Sequence, residues 1–187
     1  MQKLLFILVL ILHFQNLLFA QNSGISVELH YPLTMPAEKN NYSDVNGVFG
    51  MGFQFQFTDN EVLNYGIEYK FDMNQTYQRY DYGSSQTDSF NFMMNHLNGF
   101  TKINLDRAQN IKFYTDAGFT FYKYKEGQGQ QGFTGFNVGA GLNYEFIEKF
   151  YFQATYHYIN TGIKQQQTGF IDKENFNLFR IGIGFKI

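Results

Sequence analysis

The sequence predicts an all-β fold: an eight-stranded antiparallel up-and-down transmembrane β-barrel, preceded by a cleaved signal peptide. Three observations point there. Apolar and polar residues alternate almost throughout the chain from position 25 on, the connections between alternating stretches switch between long and short, and the one long apolar run lies at the N-terminus. Composition agrees: aromatic residues reach 20%, with 23 Phe and 14 Tyr, while Pro is only 2. Such a chain suits strands, which favour aromatic side chains and exclude proline.

The N-terminal element comes first. Lys3 supplies a positive charge, Leu4 to Leu12 is unbroken apolar sequence, and Ala20 is a small residue before Gln21. That is the pattern of a secretory signal. Residues 1–20 are therefore expected to be removed, leaving residues 21–187 as a single domain. No later segment is long and apolar enough for a spanning helix, so a membrane-embedded mature chain must close its backbone hydrogen bonds as a barrel.

Each strand follows from period two. In residues 25–33, Ile25, Val27, Leu29, Tyr31 and Leu33 alternate with Ser26, Glu28, His30 and Pro32. In 48–57, five residues from Phe49 to Phe57 alternate with Gly50, Gly52, Gln54 and Gln56. In 63–73 the apolar face runs from Leu63 to Met73 and the other holds Asn64, Gly66, Glu68, Lys70 and Asp72. Residues 90–105 are the weakest case, because Gly99 sits on the apolar face and Phe100 opposes it. The remaining strands cover 111–122, 136–146, 150–158 and 179–187. Each reaches or exceeds the roughly 9–11 residues of a tilted span. The connections at 34–46, 74–89 and 164–174 are long, that at 125–131 is intermediate, and those at 58–62, 106–110 and 147–149 are short. Long loops at one end and short turns at the other, with an even strand count, put both termini at the short-turn end.

Volume decides which face is inside. An eight-stranded barrel is only wide enough for side chains to fill. The polar face carries the glycines, which relieve crowding on a concave wall, and the other carries large aromatics. A soluble lipocalin-like barrel would need the reverse. The polar face is therefore expected to line a packed lumen holding Glu28, Glu68, Asp72, Asp116 and Glu145 with Lys70, Lys102, Lys112, Arg180 and Lys186. Buried charges must pair, and Glu28 and Arg180, on the first and last strands, are the expected partners across the seam.

The C-terminal Arg180-Ile181-Gly182-Ile183-Gly184-Phe185-Lys186-Ile187 is similar to the terminal assembly signal of small bacterial outer-membrane barrels. With the strand pattern, the mature chain resembles the OmpX and OmpA transmembrane barrels, and most of all the Bacteroidota outer membrane β-barrel domains, including PorT-like ones. The resemblance implies a cell outer membrane protein, with both termini periplasmic. Its partners would be outer-membrane lipid and the barrel-insertion machinery, which would read Arg180, Gly182, Phe185 and Ile187.

Candidate chemistry is sparse. Tyr156-His157-Tyr158-Ile159-Asn160 resembles a stretch of lipid A deacylase barrels, but Ile159 stands where a serine nucleophile is needed. His30, His96 and His157 fall on the first, fourth and seventh strands with no ligand spacing. The expected function is a structural or interaction role for a barrel with a plugged lumen, with a narrow transport or lipid-handling barrel, or a soluble periplasmic lipocalin-like binding barrel, as the alternative; no enzyme activity, metal or cofactor is expected. There is no cysteine, and a net charge of −2 lacks the basic footprint of a nucleic-acid binder. The 74–89 loop, with Tyr77, Arg79, Tyr80 and Tyr82, is the best candidate for contact with an extracellular or envelope protein, since tyrosine offers contact area at low entropic cost.

Overall fold

The computed structural model describes residues 24–36, 44–58, 61–79, 87–105, 110–126, 129–160 and 175–187. These residues form eight strands: β1 (Gly24–Pro36), β2 (Asp44–Gln56), β3 (Leu63–Arg79), β4 (Thr87–Asn104), β5 (Ile111–Glu126), β6 (Gly129–Ile147), β7 (Phe150–Asn160) and β8 (Asn175–Lys186). Each pairs antiparallel with the next, and β8 pairs with β1 to close the barrel. Residues 1–20 lie outside the described residues, so the cleavage site does too.

Burial alternates with the pleat, and the barrel is inside-out relative to a soluble protein. Leu29, Phe53, Leu97, Phe119, Phe136 and Phe152 project outward, each about half exposed, while Glu68, Lys70, Asp72, His157 and Arg180 are buried. A continuous apolar belt of this extent is not stable against water and calls for lipid. At the short-turn end, aromatic rings crowd together: Phe146 stacks on Phe152 at 4.5 Å and Phe150 lies 4.9 Å from Phe185. Toward the long-loop end, outward Tyr69 and Tyr156 donate hydroxyl hydrogen bonds to Asn95 and Asn177 on the adjoining strands, at 2.5 and 2.6 Å.

Glycines make the narrow interior possible. Phe100 stands opposite Gly66, Tyr151 opposite Gly184 and His30 opposite Gly50. A Cβ on Gly66 would meet the Phe100 ring at 2.8 Å, and one on Gly184 or Gly50 would strike the Tyr151 or His30 ring. This explains why Phe100 breaks the expected pattern of β4. It points inward over a glycine and lies roughly parallel to the Tyr114 ring, with 6.0 Å between centroids.

The strands reach farther toward the long-loop end than the alternation foretells. β3 runs to Arg79 and β4 begins at Thr87, so the expected 74–89 loop shrinks. β5 and β6 likewise leave only residues 127 and 128 between them, where an intermediate loop was expected. β7 extends to Asn160 and β8 starts at Asn175 rather than at 179. Beyond the lipid an outward side chain need not be apolar, so the period-two signal fades while the backbone ladder continues. Tyr77 and Arg79 therefore stand on β3, paired with Ser89 and Thr87. Tyr80 and Tyr82 lie outside the described residues.

Adding a methyl group at Gly184 should destabilise the barrel by about 1–3 kcal/mol through overpacking against Tyr151. Gly99→Ala, on the outer wall with only a backbone oxygen 4.0 Å away, should stay within about 0.5 kcal/mol of wild type. Urea unfolding of both variants in lipid vesicles checks the contrast.

Candidate functional site in the barrel lumen

The lumen is built in layers by inward residues of all eight strands. Its centre is Asp72 on β3. Arg180 of β8 reaches across the interior, donating from Nη2 to Asp72 Oδ2 at 2.6 Å and from Nε to both oxygens at 3.1 and 3.2 Å. His30 Nε2 of β1 lies 2.7 Å from Oδ1, and His96 Nε2 of β4 lies 2.9 Å from Oδ2. One carboxylate thus joins four strands. Its two oxygens are surrounded by donors, which is how a buried charge is tolerated.

A second layer sits beside it. Lys70 Nζ is 3.2 Å from Glu68 Oε2 and donates to the Tyr114 hydroxyl at 3.2 Å. Tyr114 in turn donates to Asp116 at 2.8 Å. Glu68 also accepts from Gln54 at 3.0 Å and Asn98 at 3.2 Å. Asp116 lies 3.3 Å from His157 Nδ1. Glu28 lies between His30 Nδ1, at 3.0 Å, and the amide of Gln153.

The two ends differ. Toward the long loops, Met94, Tyr122, Ile159, Phe176 and Leu178 form a buried apolar cluster. Tyr122 of β5 and Phe176 of β8, which are not neighbours in the sheet, meet edge-on across the lumen at 6.1 Å. At the short-turn end, Lys112 and Lys186 both contact Glu145 Oε1 at 2.6 Å.

The expected pairing of Glu28 with Arg180 does not form. β1 and β8 do adjoin, but their register sets Glu28 against Gly184 and Pro32 against Arg180. The four-residue offset leaves Arg180 to Asp72 on the far wall. The other expected lumen residues occur in the layers above: Glu68, Lys70 and Asp116 in one group, Glu145 apart at the rim. Asp72 belonged to the inward face by phase, but nothing in its spacing marks it as the hub, because its partners come from distant strands. The apolar cluster was missed for a related reason. Ile159, Phe176 and Leu178 share phase with inward polar residues, in strand segments that the alternation did not include. Of the C-terminal residues, Arg180 is buried, Gly182 packs against His30, Phe185 faces outward and Ile187 is exposed. Among the described residues no group of three or more His, Asp or Glu side chains is arranged to hold a metal ion.

Arg180→Met should cost about 3–5 kcal/mol, since it strands a buried carboxylate. Asp72→Leu should cost as much, and the double variant should cost less than the two losses added together. Urea unfolding midpoints of the three variants in vesicles measure this coupling.

Solved structures with the same architecture include Ail, the attachment invasion locus protein of Yersinia pestis, at 16% identity and a TM-score of 0.55, covering 88% of this chain and 97% of that one. OprG of Pseudomonas aeruginosa matches at 12% identity and 0.54, over 88% and 95%. The Neisserial surface protein A matches at 13% and 0.53, over 88% and 97%. At these identities the likeness speaks to fold. Comparison with curated proteins gives no significant match. The model of the outer membrane protein beta-barrel domain family matches residues 4–186. The chain belongs to that family, and its place is the outer membrane.

Proposed function

We propose that the protein is a non-enzymatic outer-membrane barrel whose lumen passes no solute and whose long-loop end meets partners outside. The observation that carries this reading is the filled interior. Asp72 and its donors span the middle, and the apolar cluster around Tyr122 and Phe176 lies above it. A hydrated ion entering from the long-loop end would have to displace the apolar cluster and then break buried ion pairs.

The same reading takes residues 1–20 as a cleaved signal peptide, the mature domain as residues 21–187, and both termini as periplasmic. It takes Arg180, Gly182, Phe185 and Ile187 as the signal read by the insertion machinery. Arg180 would then serve twice, in assembly and in the lumen. The stretch that carries Tyr77, Arg79, Tyr80 and Tyr82 in the sequence is the contact region this reading favours for an extracellular or envelope partner. The absence of a serine from the Tyr156 to Asn160 stretch supports a role without acyl-transfer chemistry.

Planar-bilayer recording of the refolded barrel tests the sealed lumen. The expected outcome is no discrete conductance steps. Steady single-channel openings in the wild-type barrel would sink the reading.

A further inference from the structure

The lumen charges are not spread evenly. In the deep layers four carboxylates, Glu28, Glu68, Asp72 and Asp116, share the interior with Lys70, Arg180 and three histidines. Toward the short-turn end Lys102, Lys112 and Lys186 stand with one inward-facing carboxylate among the described residues, Glu145. Lys112 and Lys186 converge on one of its oxygens, both at 2.6 Å.

Lys102 completes the group from β4. Its residue is only 2% exposed, yet among the described residues no carboxylate lies within ion-pair distance of its ammonium. Nζ donates to Gln54 Oε1 at 2.7 Å and lies over the rings of Phe100 and Tyr151, at 5.0 and 5.4 Å from their centroids. Glu68 is reached only through Gln54, whose amide nitrogen donates to it at 3.0 Å. An ammonium has three donors, and a buried cation without an anionic partner is costly. Lys102 is one pair of residues inward of Lys112 along the β4–β5 ladder, where Asn104 faces Lys112 and Lys102 faces Tyr114.

We propose that Lys102, Lys112 and Lys186 form a binding site for a small oxyanion of the phosphate class at the short-turn mouth of the lumen. The site is open to solution at its rim, where the Lys186 side chain is 32% and that of Glu145 17% exposed. A bound oxyanion would accept from Lys102, whose ammonium has no carboxylate within ion-pair distance among the described residues, and would share Lys112 and Lys186 with Glu145. The mouth receives the ion without passing it on, because the Asp72 layer and the apolar cluster lie beyond.

The test uses the full mature barrel in a non-ionic maltoside detergent. Inorganic phosphate is titrated against the protein by calorimetry, with chloride at matched ionic strength as the control for screening. Saturable phosphate binding is expected, weakened about tenfold or more by Lys102→Met and by Lys186→Gln. The second variant lies at the exposed rim and keeps the test sound if the first misfolds. Absence of saturation in the wild type beyond the chloride control overturns the proposal, as does equal affinity in wild type and a folded variant. Conductance through the barrel together with saturable phosphate binding would defeat the sealed-lumen reading alone and uphold the site at the mouth.

Discussion

The Asp72 carboxylate is the point on which the interior depends. A barrel in lipid turns most of its apolar side chains outward, because its eight-stranded interior is narrow and its outer wall already faces an apolar solvent. Charged and polar groups therefore make up most of the inside, and each needs partners. Asp72 supplies them for Arg180, His30 and His96 at once, tying β1, β4 and β8 to β3. Beside this hub Lys70 pairs with Glu68, and Glu28 meets His30 and Gln153.

Space is the second constraint, and glycine answers it. The ring of Tyr151 and that of Phe100 each fit because the directly opposing residue has no side chain. A third glycine, Gly50, leaves room for the ring of His30 beside Asp72. Packing and electrostatics are thus coupled: a methyl group on an inward glycine would move a member of the polar network as well as overfill a void.

Much of the architecture was legible in the residues, because lipid and lumen impose opposite polarity on alternate positions. Leu63 to Met73 against Asn64 to Asp72 reads directly as outer and inner wall. Phe100 was harder to place, since its inward position depends on Gly66, a residue of another strand. Strand ends past the membrane were illegible for a physical reason: residues such as Gln75 to Arg79 pair through their backbone, where polarity carries no information. Partners across the lumen were the least legible. Arg180 was recognisable as a buried charge, but the seam register that separates it from Glu28 is set by closure of the whole barrel. The buried apolar cluster shows the same limit, since Tyr122 and Phe176 are neighbours only across the closed interior.

The central claim is that the polar face is inside and the aromatic face in lipid. The chain has no cysteine, so single cysteines can be placed from Met93 to Ile103 on β4 and spin-labelled in vesicles. Labels at 93, 95, 97, 101 and 103 should collide with membrane-dissolved oxygen, while those at 94, 96, 98, 100 and 102 should be immobile or fail to react. The opposite phase, or no alternation at all, would contradict the account.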